Sequence, residues 1–191
     1  MKAVVGLANP GPEYERTRHN IGAEVVVAVG AGSGERLGRG PSRLRSSIAQ
    51  TVVSGEKVVL AVPLTYMNQS GGPVRSMVDY FGIEVGDLLV VHDDIDLPFG
   101  RLRLQVGGGT GGHNGLRSVE ASLATRDFTR LKFGVGRPPG RMDPADFVLR
   151  RFAKAERAEV DLMIADAAHV VDLWVTDIDG ATRRAGGRRP N

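Results

Sequence analysis

Apolar and polar positions alternate along this chain between short β-like runs and longer amphipathic stretches. Residues 3–7 form a brief apolar run closed by Asn9-Pro10-Gly11-Pro12, a strong breaker, and predict a strand. Asn20 to Val29 predicts a helix, although Val25-Val26-Val27 is β-branched. Gly30 to Pro41 is rich in Gly and Arg, poor in apolar residues, and predicts a mobile loop. Ser47–Val53 and Lys57–Val62 flank Ser54-Gly55-Glu56 and predict a hairpin. Ser70 is placed to cap a helix that runs to Phe81 and stops at Gly82. Asp87–His92 has the unbroken apolar character of a buried strand, whereas Arg101–Gln105 alternates. A glycine-rich loop, Gly107 to Gly112, leads into a helix over Asn114–Leu123, and Arg130–Val135 predicts another strand. From Lys154 to Trp174 the apolar residues Val160, Met163, Ile164, Ala167, Val170, Val171 and Trp174 form a helical stripe. Strands that alternate with helices in this way predict a layered α/β domain with a mostly parallel sheet.

Composition narrows the chemistry. The 191 residues include no cysteine, which excludes a disulfide scaffold, a thiol nucleophile and a cysteine-ligated metal. No apolar run approaches the roughly eighteen residues of a membrane span. The chain begins with a strand-like segment and no signal-peptide pattern, so a cytoplasmic protein is the expectation. The net charge of +3 is unevenly spread. Leu97 to Arg141 holds eight basic residues and two acids, and Phe152 to Thr182 holds two basic residues and seven acids. A basic middle beside an acidic segment suggests a face suited to a polyanion, or an ordinary solvated surface. Residues 183–191, with Arg183, Arg184, Arg188 and Arg189, are expected to form a disordered tail after a domain spanning 1–182.

Three groups of residues carry candidate chemistry. His19 follows the first strand and its turn, where open α/β sheets place their sites; a lone histidine there can equally be a surface or capping residue. His92-Asp93-Asp94-Ile95-Asp96 follows the most apolar strand. Its carboxylates can hold a metal, orient a histidine, or form a polar turn. Gly107 to Gly115 is too glycine-dense for a simple turn, and its backbone amides before a helix suit an anion. It is neither a Walker loop nor a dinucleotide fingerprint, and a flexible connector is the plain alternative. Asn9, Asn68 and Asn114 each sit at a strand end or loop–helix junction, as turn, cap or substrate-binding amides. With one His and one Asp they suggest a hydrolytic site that lacks a side-chain nucleophile.

Read together, these segments resemble a known family. Gly6-Leu7-Ala8-Asn9-Pro10-Gly11 with Tyr14 and Thr17-Arg18-His19-Asn20 is similar to the N-terminal signature of bacterial peptidyl-tRNA hydrolases. Pro63 to Gly71, His92 to Pro98 and Gly107 to Leu116 resemble three further motifs in matching order, and Phe128 to Gly136 the strand after them. The resemblance covers roughly residues 1–180 and is weakest from Ala23 to Ser47. It implies one α/β domain with a mixed, mostly parallel twisted sheet flanked by helices. It implies hydrolysis of the ester between a peptide and the terminal adenosine of tRNA, without cofactor or metal, by a monomer that binds the tRNA acceptor stem. His19 would be the general base, Asp93 its orienting carboxylate, and Asn114 a substrate and oxyanion contact. Asn9 and Asn68 would position the peptidyl part, with Asn9 rejecting a free amino group. Tyr14 and Tyr66 would line the substrate site, and His113 would support it. Arg103 and Lys132 fall at the tRNA phosphate contacts, whereas Gln105 stands where some members carry Lys. Two other readings are a noncatalytic RNA-binding relative on the same fold and a metal-dependent phosphoesterase built on His92 and its neighbouring aspartates.

Overall fold

The apolar runs become the centre of a seven-stranded sheet in the computed structural model, which describes residues 1–191. Along the chain, β1 (Lys2–Gly6) leads through two 3₁₀ turns to α1 (Ile21–Gly32) and the short β2 (Gly38–Arg39). The hairpin β3 (Ser46–Val53) and β4 (Glu56–Pro63) precedes α2 (Gly71–Phe81) and β5 (Leu88–Asp94). Then follow β6 (Leu102–Val106), α3 (Asn114–Leu123), β7 (Thr129–Gly134), α4 (Pro144–Val148), α5 (Arg157–Thr176) and α6 (Ile178–Gly187).

The strand order is β2-β3-β4-β1-β5-β7-β6. The four central strands, β4, β1, β5 and β7, run parallel, and β3, β2 and β6 add antiparallel edges. β1 lies between β4 and β5, so the chain leaves it to one side and later returns to the other. The carboxyl end of β1 is thus a switch point, where such sheets open a crevice.

The alternation along β5 explains the two helical layers. Leu89 and Val91 join a core with α1, α5 and α6, including the buried Trp174. Leu88 and Val90 face a second core formed with α2 and α3. All four are fully buried, each contributing roughly 1.5–3 kcal/mol of transfer free energy. Gly6 and Gly22 let α1 cross the end of the sheet at backbone contact. A Cβ on Gly6 would strike the Gly22 carbonyl, and one on Gly22 the Val91 carbonyl.

The structure departs from the sequence expectations in three places. The segment expected as a mobile loop from Gly30 to Pro41 continues α1 to Gly32 and then pairs β2 with β3. Gly30 is buried against Leu37 and Leu60, and this packing stabilises the last helical turn. Ser70 occupies the cap position of α2, but its backbone is helical and its hydroxyl donates back to the Met67 carbonyl at 2.8 Å. The Arg-rich tail, expected to be disordered, is largely helical and docked. Ala181 and Ala185 pack into the core, and Asp177 caps α6 by accepting from the Gly180 N–H at 2.8 Å. Arg188 is 8% exposed and pairs with Glu159 at 2.8 Å and Asp166 at 2.9 Å. The acidic face of α5 is the counterpart of that arginine cluster.

Candidate active site

At the carboxyl ends of β1, β4 and β5, six segments converge on one cavity of about 730 Å³. The loop after β1 brings Asn9, and the 3₁₀ turn Arg18–Asn20 brings His19. The turn Met67–Gln69 brings Asn68, the end of β5 brings Asp93, and the glycine loop brings His113 and Asn114. Residues 143–145 with Val148 and Leu149 form the facing wall. Gly111 and Gly112 in that loop have φ of 58° and 81°, a backbone that glycine adopts without a Cβ penalty.

Asp93 is the hub. Its carboxylate is 3% exposed, and Oδ1 accepts from both His19 Nδ1 and His113 Nε2, each at 2.9 Å. The surrounding amides assign the tautomers. His113 Nδ1 accepts from the backbone N–H groups of Gly115 at 3.1 Å and Leu116 at 3.3 Å, so the proton of this ring sits on Nε2. His113 thereby caps α3 and ties its N-terminus to Asp93. His19 donates from Nδ1, which leaves its Nε2 lone pair free for a ligand in the cavity. Burial works against a charge on His19, but the Asp93 carboxylate and its hydrogen bond outweigh it, and the pKa is raised. Burial also opposes a charge on Asp93, yet His19 and His113 together hold its carboxyl well below the usual carboxylate range.

His92 plays a different part. Its Nδ1 donates to the Asp93 carbonyl at 2.7 Å, which braces the backbone beneath the carboxylate. Burial, with His113 beside it, pushes this imidazole down to about 3, so it is neutral in any working range. The alternative metal reading on His92 and the aspartates does not match the geometry. Asp94 turns to Lys132 at 3.3 Å and Asp96 pairs with Arg137, so those carboxylates diverge from His92. The group that does converge is His19, Asp93 and His113. A cation there would require His113 to give up the Nε2 proton and carry one on Nδ1, facing two N–H donors. This donor set fits a hydrogen-bonded base, not a metal.

The asparagines take separate tasks. Asn9 Oδ1 accepts from the Met67 N–H at 2.7 Å, so its amide NH₂ is the end left for a ligand. Asn20 clamps the Asn9 backbone from both sides, accepting from its N–H at 2.8 Å and donating to its carbonyl at 2.9 Å. Asn20 was not among the expected site residues, and its only sequence signal is its place directly after His19. Asn68 and Asn114 line the cavity with exposed side chains. Tyr66 also lines it, and Tyr14 stands behind with its ring edge-on to Tyr66 at 6.4 Å.

The basic middle segment is less cationic at the surface than its composition suggests. Arg130 is fully buried, holding the Gly109 carbonyl at 3.0 Å and Glu120 at 2.6 Å, so it anchors the glycine loop. Arg103 and Lys132 are direct cross-strand partners on β6 and β7, but Lys132 is already paired with Asp94. Gln105 folds back to the Gly107 carbonyl at 3.2 Å.

Comparison with known proteins agrees with this geometry. A family model for peptidyl-tRNA hydrolase matches residues 3–190. Peptidyl-tRNA hydrolase of Frankia casuarinae is 50% identical over 174 residues, covering 91% of this chain and 87% of that protein. The Kineococcus radiotolerans protein of the same name is 49% identical over 177 residues, covering 90% and 89%. A crystal structure of peptidyl-tRNA hydrolase from Acinetobacter baumannii superposes with a TM-score of 0.93 at 32% identity, over 100% of this chain and 97% of that one. With its hydrogen-bonded histidine and cavity asparagines at the switch point of the sheet, this chain belongs to the peptidyl-tRNA hydrolase family.

Proposed function

We propose that His19 activates a water molecule to cleave the ester of peptidyl-tRNA, the reaction this family membership assigns to the chain. The observation that carries the mechanism is the His19–Asp93 pair with Nε2 free at a cavity lined by three asparagines. Water bound at Nε2 gives up a proton to the ring as its oxygen attacks the ester carbonyl carbon. The imidazolium that forms is stabilised by Asp93, whose charge is already in place. Negative charge develops on the carbonyl oxygen, where the Asn114 amide and the N-terminal end of α3 offer compensation. The tetrahedral intermediate then collapses, the C–O bond to the ribose breaks, and the leaving oxygen takes the proton from His19. The products are tRNA with a free hydroxyl and a peptide carboxylic acid, which releases its proton to water to become the carboxylate. The ester is already activated, so the step requires no cofactor. A noncatalytic binder would have no use for an assembled base. The test is hydrolysis of N-acetyl-aminoacyl-tRNA in the presence of EDTA. Turnover that persists supports the mechanism, and turnover abolished by the chelator and restored by a metal sinks it.

No helix is long and apolar enough to cross a membrane. From the family membership we infer a monomer that acts in the cytoplasm, where peptidyl-tRNA arises.

Selectivity for a blocked amine rests on Asn9. Its NH₂ can donate to a peptide carbonyl, which a free aminoacyl ester lacks, and a charged ammonium would lose hydration against it. Asn9→Ala is expected to lower kcat/KM for N-acetyl-aminoacyl-tRNA by about tenfold or more and to leave the unblocked ester less affected. Asn9→Asp keeps an acceptor for the Met67 N–H and offers the cavity a carboxylate oxygen, so it should favour the ammonium further. A constant ratio of the two substrates across wild type, Ala and Asp removes Asn9 from this role.

The acceptor-stem phosphates are assigned to Arg103 and Lys132. Because Asp94 already partners Lys132, Arg103→Ala is expected to have the larger effect. Each loss of charge should raise KM for the full tRNA substrate and reduce the salt slope of binding by about one. A minimal ester without the tRNA body should be cleaved as before, and equal losses on both substrates would place these residues in the chemistry or the fold.

A further inference from the structure

Arg18, next to the base, is buried more deeply than a surface cation would be, at 6% exposure. Its Nη1 donates to the carbonyls of Arg150 at 3.3 Å and Arg151 at 3.0 Å, and its Nη2 to Glu156 at 3.0 Å. The guanidinium also lies over two rings, 4.0 Å from the centroid of Phe147 and 5.1 Å from that of Phe152. Phe147 belongs to α4, whose other side supplies Pro144, Ala145 and Val148 to the cavity. The backbone repeats the connection: the Arg18 N–H donates to the Arg150 carbonyl at 3.1 Å, and Thr17 forms an isolated bridge with Arg151. Side chain and backbone of Arg18 thus both join the turn that carries His19 to the segment that carries the facing wall.

We propose that Arg18 is a positioning residue that latches the α4 wall of the cavity to the His19 turn, and so sets the width of the substrate site. The inference rests on the assignment of the cavity as the hydrolytic site. Three features of guanidinium suit the task. It has enough donors to hold two carbonyls and a carboxylate at once, it stacks flat on aromatic rings, and its charge is permanent. Lysine has the charge but neither the fork nor the plane. The His19–Asp93 bond does not pass through Arg18, because Asp93 stands on β5. Loosening the latch therefore acts on substrate seating before it acts on the base.

The test uses the full chain with Arg18→Lys, Phe147→Leu and the double variant. Arg18→Lys is expected to raise KM for N-acetyl-aminoacyl-tRNA by about tenfold, with a smaller loss in kcat and an unmoved acid limb of the pH profile. Phe147→Leu removes a stacking face without leaving a buried charge alone, so it carries the test even if Arg18→Lys folds poorly. It should raise KM in the same direction, and the double variant should be no worse than Arg18→Lys alone. Amide hydrogen exchange reads the latch without reference to turnover: residues 147–153 should exchange faster in Arg18→Lys, with the exchange of β1 and β5 unchanged. Unchanged exchange at 147–153 overturns the proposal whatever the activity. So does a lowered melting temperature with an unchanged KM, which would mean a purely structural role. A shifted acid limb would overturn it as well, by placing Arg18 in control of the base.

Discussion

Replacing His19 by alanine is expected to cut kcat for N-acetyl-aminoacyl-tRNA by about 10²–10⁴-fold, the usual yield of a positioned general base. The truncation removes the imidazole lone pair that His19 presents to the cavity. His92 has an unpartnered Nε2, but that atom is buried and burial pushes the ring down to about 3, so it cannot stand in as a base. His113 cannot either, because both of its nitrogens are engaged. The proposed phosphate contacts, Arg103 and Lys132, stand on β6 and β7 and not on the His19 turn, so the Kd for tRNA is expected to stay near that of wild type. The two measurements together decide the role. Near-normal turnover would show that another group activates the water, and parallel loss of turnover and of tRNA binding would point to a fold defect.

Asp93→Asn is expected to lower kcat by about ten- to a hundredfold, less than loss of the base, because the imidazole stays in place and only the charge that supports its protonated form is lost. The asparagine carbonyl can still accept from His19 and His113, so the geometry largely survives and the charge is what is lost. His19 must be neutral to take a proton from water, so activity rises with pH through its pKa. Asp93 raises that pKa against the opposing effect of burial. Without the carboxylate the opposition prevails, and the acid limb moves to lower pH. The variant is thus slower at its plateau but reaches that plateau under more acidic conditions. A pH–rate profile of kcat/KM checks both parts, and an unmoved limb would mean that the two residues are not coupled.

Most of the secondary structure is legible in one dimension because it follows local rules. The apolar run at 88–91 can only be buried, the hairpin at 46–63 carries its own turn, and Gly82 stops α2 with φ of 63°. The candidate residues are legible too, since four motifs in a fixed order point to His19, Asp93 and the asparagines before any contact is known. Where the local reading fails, a long-range partner decided the outcome. The Arg-rich tail is polar enough to predict disorder, but Glu159 and Asp166 on α5 receive its Arg188, and the pairing offsets the entropy of ordering it. Arg130 reads as one more surface cation in a basic segment, yet it is buried with Glu120 beneath the glycine loop.

The sequence by itself determined the order of the six longer strands and of α1, α2, α3 and α5, the class of chemistry, and the residue types at the site, because periodicity, turn residues and motif spacing are properties of neighbours in the chain; β2, α4 and α6 escaped it. Only the tertiary structure decided which nitrogen of each histidine carries a proton, which end of the Asn9 amide is left unpaired, and which cations already have a carboxylate partner. Those depend on groups far apart in sequence: Asp93 on His19 across 74 residues, Asn9 on Met67 across 58, and Arg18 on Glu156 across 138. A hydrogen bond specifies direction as well as distance, and that direction exists only once the two elements are packed.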